Sequence, residues 1–184
     1  MLMLKPSDIY VLAGVLAEAD DHWTYRQLAD ALGIPHPLVQ RGLQRAEEAG
    51  LYSAANKSVH RANIDEFFQH ALRFLAPAHL GSVVAGVPAA WAAPPMAQLI
   101  RESSDLPPVW PSAHGQVRGL ALPPLHDSAI DASAEWPQLG ELLSVIDSLR
   151  AGDLRVRSVA AHEVSGWLKA WPAWPSWPSD RQTQ

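Results

Sequence analysis

Apolar residues recur at helical spacing through the first 75 positions. Ile9, Leu12, Ala13 and Leu16 fall at i, i+3, i+4 and i+7 and predict one apolar stripe on a helix over about 6–19. Pro6 suits a first helical position, where no N–H is needed, and Asp8 in the first turn suits the helix dipole. Asp20, Asp21 and His22 break the pattern. Thr24, with Gln27 three residues on, forms a capping box that opens a second helix with Leu28, Ala29 and Leu32 inward. Gly33 stands where a left-handed residue ends a helix, and Ile34 supplies an apolar plug between helices.

A third helix is expected over about 37–49. Val39, Leu43 and Ala46 point one way, Pro37, Arg41, Gln44 and Glu48 the other, and Gln40 and Arg45 flank the outer face. Gly42 costs roughly 1 kcal/mol relative to alanine, which a close helix crossing would explain. Residues 51–54 and 59–61 read as two short strands about a turn at 55–58, with Lys57 at the tip and Arg61 on the return as candidate phosphate contacts. Asn63 and Glu66 then cap a fourth helix to about Leu75, whose Ile64, Phe67, Phe68 and Leu72 serve its own domain, a dimer seam, or both.

The pattern changes after residue 75. Residues 76–128 hold nine prolines, so regular structure there is expected to be short: a small helix after Pro94 and Pro95, a brief strand in "GQVRGLAL", and otherwise an extended layer against the folded part. A proline-rich ligand for a partner's groove is the functional alternative. Leu139, Leu142, Leu143, Ile146 and Leu149 predict a helix over 136–151 ended by Gly152, followed by another over about 154–168. Arg155 and Arg157 near its start touch a phosphate or an acidic partner, or are simply solvated. The end, "WPAWPSWPSDRQTQ", has no periodic face and reads as a mobile tail. The organisation expected is therefore 1–75, 76–168 and a tail over 169–184.

Composition narrows the class. With 48% hydrophobic residues the chain of 184 can bury a core, and no window approaches the roughly 18 apolar residues of a membrane helix. The start, "MLMLKPSDIY", has no long apolar run behind a basic end and is not expected to be a secretory signal. Cysteine is absent, which excludes disulfides and thiolate metal sites and fits a cytoplasmic location. Eight histidines are scattered without metal-ligand spacing, and there is no nucleophile elbow, phosphate-binding loop or dinucleotide fingerprint, so neither an enzyme nor a cofactor is expected. The net charge of −5 opposes a nucleic-acid partner, because DNA affinity rests largely on phosphate neutralisation. Distribution matters more locally: between Gly33 and Arg61 four basic residues face two acidic ones.

The order "YRQLADALGI", then "LVQRGLQRAEEAGL", then a short hairpin gives residues 4–75 a resemblance to the winged helix-turn-helix domains of bacterial transcription regulators, including the MarR-like group. The resemblance implies that Val39 and Leu43 are core, that Gln40, Arg41, Gln44 and Arg45 face the major groove, and that Lys57 sits on the wing. Arginine can bond guanine and glutamine adenine in bidentate fashion. Thr24, His36 and Arg61 complete the expected DNA contacts. One departure is the pair of prolines around His36, where such regulators carry serine or threonine; it removes a hydroxyl and an N–H that would meet phosphate. The stretch "PPVWPSAHGQVRGLALPPL" and the helix after it resemble the C-terminal part of uncharacterised bacterial proteins that begin with a winged helix; some regulators with this layout serve as antitoxin-like repressors controlling their own operon. The expectation is thus a mainly α protein with a small β-wing and a smaller, Pro-rich, mostly helical C-terminal region. It would be a homodimeric repressor of double-stranded DNA, with a protein partner possible through the C-terminal half. The alternatives are a protein-interaction adaptor on the same fold, and an effector-sensing repressor holding a ligand against the Trp-rich half.

Overall fold

The computed structural model describes residues 3–18, 22–100 and 106–170, which are mainly helical with a small amount of sheet. Helix α1 (Pro6–Ala17) is buried on every side from Asp8 to Ala17 rather than along one stripe. Its sequence is apolar all round, and such a helix belongs inside a core. On one side it packs against α2 (Tyr25–Leu32) and α3 (His36–Glu48), and on another against α8 (Pro137–Ala151) of the second half. Gly14 lets α2 approach closely, since a Cβ there would press on the side chains of Leu28 and Leu32. Gly42 does the same where α1 crosses α3, a Cβ at that point lying 3.2 Å from Asp8 Oδ1.

The capping box of Thr24 and Gln27 forms as the sequence predicts, and Gly33 is left-handed at φ 65° between α2 and α3. The hairpin is shorter than expected, with β1 (Tyr52–Ser53) pairing antiparallel to β2 (Ser58–Val59). Helix α4 (Arg61–His70) begins two residues before Asn63, which does not cap it. The Asn63 amide instead donates to the carbonyl of Gly50 at 2.7 Å and ties α4 to the end of α3. Ile64 and Phe68, and Leu72 in the short α5 (Leu72–Leu75), are buried. They pack on α8 and α9 (Leu154–Ala170) of the same chain.

The second half is not smaller than the first, and it holds a sheet beyond the single predicted strand. Strands β3 (Val83–Pro88), β4 (Pro108–Pro111) and β5 (Val117–Ala121) close into a three-stranded ring. β3 runs antiparallel to both others, Val83 opposite Leu120 and Val87 opposite Trp110, while β4 runs parallel to β5. Prolines are compatible with these strands because Pro88, Pro108 and Pro111 occupy strand ends. So tight a ring leaves no room for side chains inside it: a Cβ at Gly86 would overlap the carbonyl of Trp110, and one at Gly119 that of Pro107. The predicted small helix is α6 (Met96–Leu99), preceded by a 3₁₀ turn at Ala90–Ala92. An unpredicted helix, α7 (Ala129–Glu135), precedes α8. The expected tail begins inside α9, where Lys169 and Ala170 are helical; 171–184 lie outside the described residues.

The buried apolar residues of both halves form one cluster. Two polar knots fasten it. In α8, Asp147 accepts from the Trp110 indole at 2.7 Å and from Arg150 at 2.5 Å, and Arg150 Nε donates to the carbonyl of Ala76 at 2.8 Å. Burial raises the Asp147 carboxyl, and these two donors act against that rise. The second knot is at the end of α2, where the last carbonyls of a helix lack internal partners. The Leu32 carbonyl accepts from the Tyr10 hydroxyl at 2.9 Å and from Ser128 Oγ at 2.7 Å. His126 stacks on the Tyr10 ring at 5.5 Å and accepts the Ser128 N–H at Nδ1.

Two predictions follow from this packing. Gly119→Ala should destabilise the fold by about 1–3 kcal/mol in urea titrations through overpacking, whereas Gly166→Ala, at an open position of α9, should stabilise it by about 0.5–1 kcal/mol. Burial pushes the Tyr10 hydroxyl up to about 12 from an ordinary 10.0. The unfolded chain thus releases that proton first, and stability should fall as pH rises from 10 to 12. Tyr10→Phe should remove that slope, at a cost of about 1 kcal/mol at neutral pH for the lost hydrogen bond.

Candidate nucleic-acid interface

Helix α3 divides as its periodicity requires. Val39, Gly42, Leu43 and Ala46 are buried, and Pro37, Gln40, Arg41, Gln44, Glu47 and Glu48 are exposed. Gln40, Arg41 and Gln44 therefore share an outward face. Arg45 does not join them. It is 6% exposed and turned inward, its Nε 2.7 Å from Asp8 Oδ2 and its NH2 2.6 Å from Asp8 Oδ1. Its hydrogen bonds to Asp8 raise the guanidinium above its ordinary value. Position 45 lies one turn beyond Arg41 but on the side where α1 crosses, and Asp8 waits there. A buried carboxylate and a buried guanidinium each cost too much to leave unpaired, so the pair determines where Arg45 goes. Asp8 is accordingly a buried counter-ion, beyond its role as a first-turn charge, with Oδ2 also accepting the Lys5 N–H at 2.8 Å.

The other expected contacts are more constrained than sequence implied. Thr24 is exposed, but its hydroxyl and N–H are both engaged with Gln27. His36 opens α3 and is half-buried, its ring edge-on to Tyr25 at 6.3 Å. Lys57 is left-handed at φ 48° in the hairpin turn, and its ammonium donates to the carbonyl of Trp23 at 3.2 Å, 5.8 Å from that indole ring. Cation and ring thus hold the hairpin to the start of α2. Arg61 is not on the returning strand. It begins α4 and donates to the Leu168 carbonyl at the end of α9 at 3.4 Å.

Three residues that sequence analysis passed over shape this face. Glu47 accepts the Ala54 N–H at 2.9 Å and braces the hairpin against α3. Tyr25 and Tyr52 wall a cleft of about 220 Å³ that opens beside Gln40 and Gln44. Burial and the neighbouring Tyr25 push the Tyr52 hydroxyl well above its usual range. An aromatic in the first turn of α2 and another in the first strand of the hairpin were the signal available. Among the described residues no group of three histidines or carboxylates could hold a metal ion, and no helix is long and apolar enough to cross a membrane.

Removing one partner of the inner pair should have a large effect on stability and removing an outward residue a small one. Arg45→Ala is expected to lower unfolding stability by about 3 kcal/mol or more, leaving Asp8 buried and unpaired. Arg41→Ala should stay within about 0.5 kcal/mol. Equal urea midpoints for the two variants would contradict the placement of Arg45.

The chain finds no significant match among protein-family models, curated proteins or solved structures.

Proposed function

We propose that this protein is a winged helix-turn-helix regulator that binds double-stranded DNA, with α3 in the major groove and the β1–β2 wing on the flanking backbone. The observation that carries the reading is the outward triad Gln40, Arg41 and Gln44 on a helix whose opposite face is locked into the core. Side chains that read base edges must project together from a rigid element, and arginine and glutamine present the donors and acceptors that match guanine and adenine. The loss of Arg45 from the surface reduces the local positive charge, so affinity would rest on Arg41, on the N–H donors of Lys57 that Trp23 does not take, and on two copies acting together. A two-fold dimer would present two such faces to a palindromic site. Its seam would lie away from Ile64, Phe68 and Leu72, and Phe74, 69% exposed, is a residue it would cover. Repression is the simplest regulatory outcome of occupying an operator.

A second reading, an adaptor that binds protein, draws on the cleft between Tyr25 and Tyr52 and on Glu47 and Glu48 beside it. The experiment that separates the two is a gel shift with DNA from upstream of the protein's own gene at two salt concentrations. A shift that weakens as salt rises supports the regulator, and no shift at either concentration supports the adaptor. Within the first reading, Arg41→Ala and Gln44→Ala should reduce discrimination between cognate and scrambled DNA by about 1–3 kcal/mol each. Lys57→Ala should weaken both DNAs alike and lower the salt slope by about 1. Wild-type binding by all three variants would overturn the groove model.

A further inference from the structure

A second concavity lies far along the chain from α3, between the strand ring and helices α7 and α8. It has a volume of about 430 Å³, within the range of sites that enclose small organic molecules. Its walls are mostly apolar and include Val87, Pro94, Trp110 and Ile130. Two serines line it: Ser133 Oγ is buried without a hydrogen-bond partner, whereas the Ser144 hydroxyl is engaged with the carbonyls of Pro94 and Glu141, at 2.8 and 3.0 Å. The indole N–H of Trp110 is likewise committed to Asp147. The interior therefore offers an apolar body much to pack against, with the Ser133 hydroxyl as its one buried group still open to a bond among the described residues. Among the described residues that line it, the charged side chains are Asp131 on α7 and Glu141 on α8, with the His114 imidazole on the same wall and no lysine or arginine. Asp131 is exposed and so belongs to the rim. An apolar cavity with the Asp131 carboxylate at its rim suits a molecule that is apolar at one end and cationic at the other.

The wall of this cavity is bonded to the turn that sets α3. Ile130, Asp131 and Ala134 of α7 line it, and Ser128, the residue that precedes α7, donates to the Leu32 carbonyl at the end of α2. Ser128 also packs against Gly33, where a Cβ would lie 3.3 Å from its own. We propose that the cavity binds an aromatic or branched aliphatic ammonium compound and that its occupancy is transmitted through α7 and Ser128 to the α2–α3 turn. That the turn would then change DNA affinity rests on the function proposed above; the binding site and its coupling to the turn do not.

The test uses the full chain and three probes of one shape: 1-naphthylmethylamine, 1-naphthylmethanol and 1-naphthylacetate, titrated by calorimetry without DNA. The amine should bind at least about five-fold more tightly than the alcohol, as expected for a partly screened ion pair, and the carboxylate should bind weakest. Asp131→Asn should bring the amine to the level of the alcohol, and Ala134→Trp should abolish binding of all three. Asp131 is exposed, so its amide should leave folding intact. Equal affinity for the three probes, binding that survives Ala134→Trp, or no binding of the amine at millimolar concentration would overturn the site. Coupling is read by amide hydrogen exchange over 29–38. Saturating amine should change protection there by about three-fold or more in the wild type and not in Ser128→Ala. Unchanged exchange in the wild type would overturn the coupling. A gel shift that fails with and without amine would count against DNA binding alone.

Discussion

Asp8 and Arg45 meet where both are shielded from water, and the arrangement of the first three helices depends on that meeting. The carboxylate has two oxygens and the guanidinium a planar fork, so the pair fixes orientation as well as distance. Once α1 is held across α3 at Gly42, Val11 and Asp8 fill the space that a larger residue would need. The face of α3 left for solvent is then determined, and with it Gln40, Arg41 and Gln44. A pair of this kind contributes more to specifying one geometry than to net stability, because burying two charges offsets much of their attraction.

α1 also joins the two halves. A helix buried on all sides needs cover on all sides, and α2, α3 and the hairpin supply only part of it. α8 supplies the rest, and it too is buried along nearly its whole length. Its Asp147 and Arg150 bind Trp110 of the strand ring and the carbonyl of Ala76, where the chain leaves the first half. Here the carboxylate and the arginine are neighbours on one helix, and it is their further bonds to Trp110 and Ala76 that fix the helix against the rest of the second half.

The knot at Leu32 gives this arrangement its functional interest. One carbonyl at the end of α2 takes donors from α1 and from the segment that leads into α7. A movement of α7 therefore reaches the α2–α3 turn through a hydrogen bond rather than through a long chain of contacts. Coupling between sites requires an element whose position both sites bias, and α7, with the cavity on one side and Gly33 at its start, has the right placement.

Local chemistry made several features legible in the sequence. The capping box at Thr24 and Gln27, the left-handed Gly33, the inward set Val39, Leu43 and Ala46, the outward set Gln40, Arg41 and Gln44, and the long helix before Gly152 each follow from residues within a turn or two of one another. Tertiary structure alone decided the rest. Arg45 looks like an outward residue until Asp8, 37 positions earlier, is known to lie beneath it. Lys57 and Arg61 look like free cations until the carbonyls of Trp23 and Leu168 arrive. The strand ring hides behind its prolines because those occupy strand ends, and its glycines matter only once two backbones meet. Periodicity reports which face of an element is apolar. It carries no information on which distant charge or carbonyl will stand opposite a polar side chain, and that opposition decides whether the side chain serves the interior or the surface.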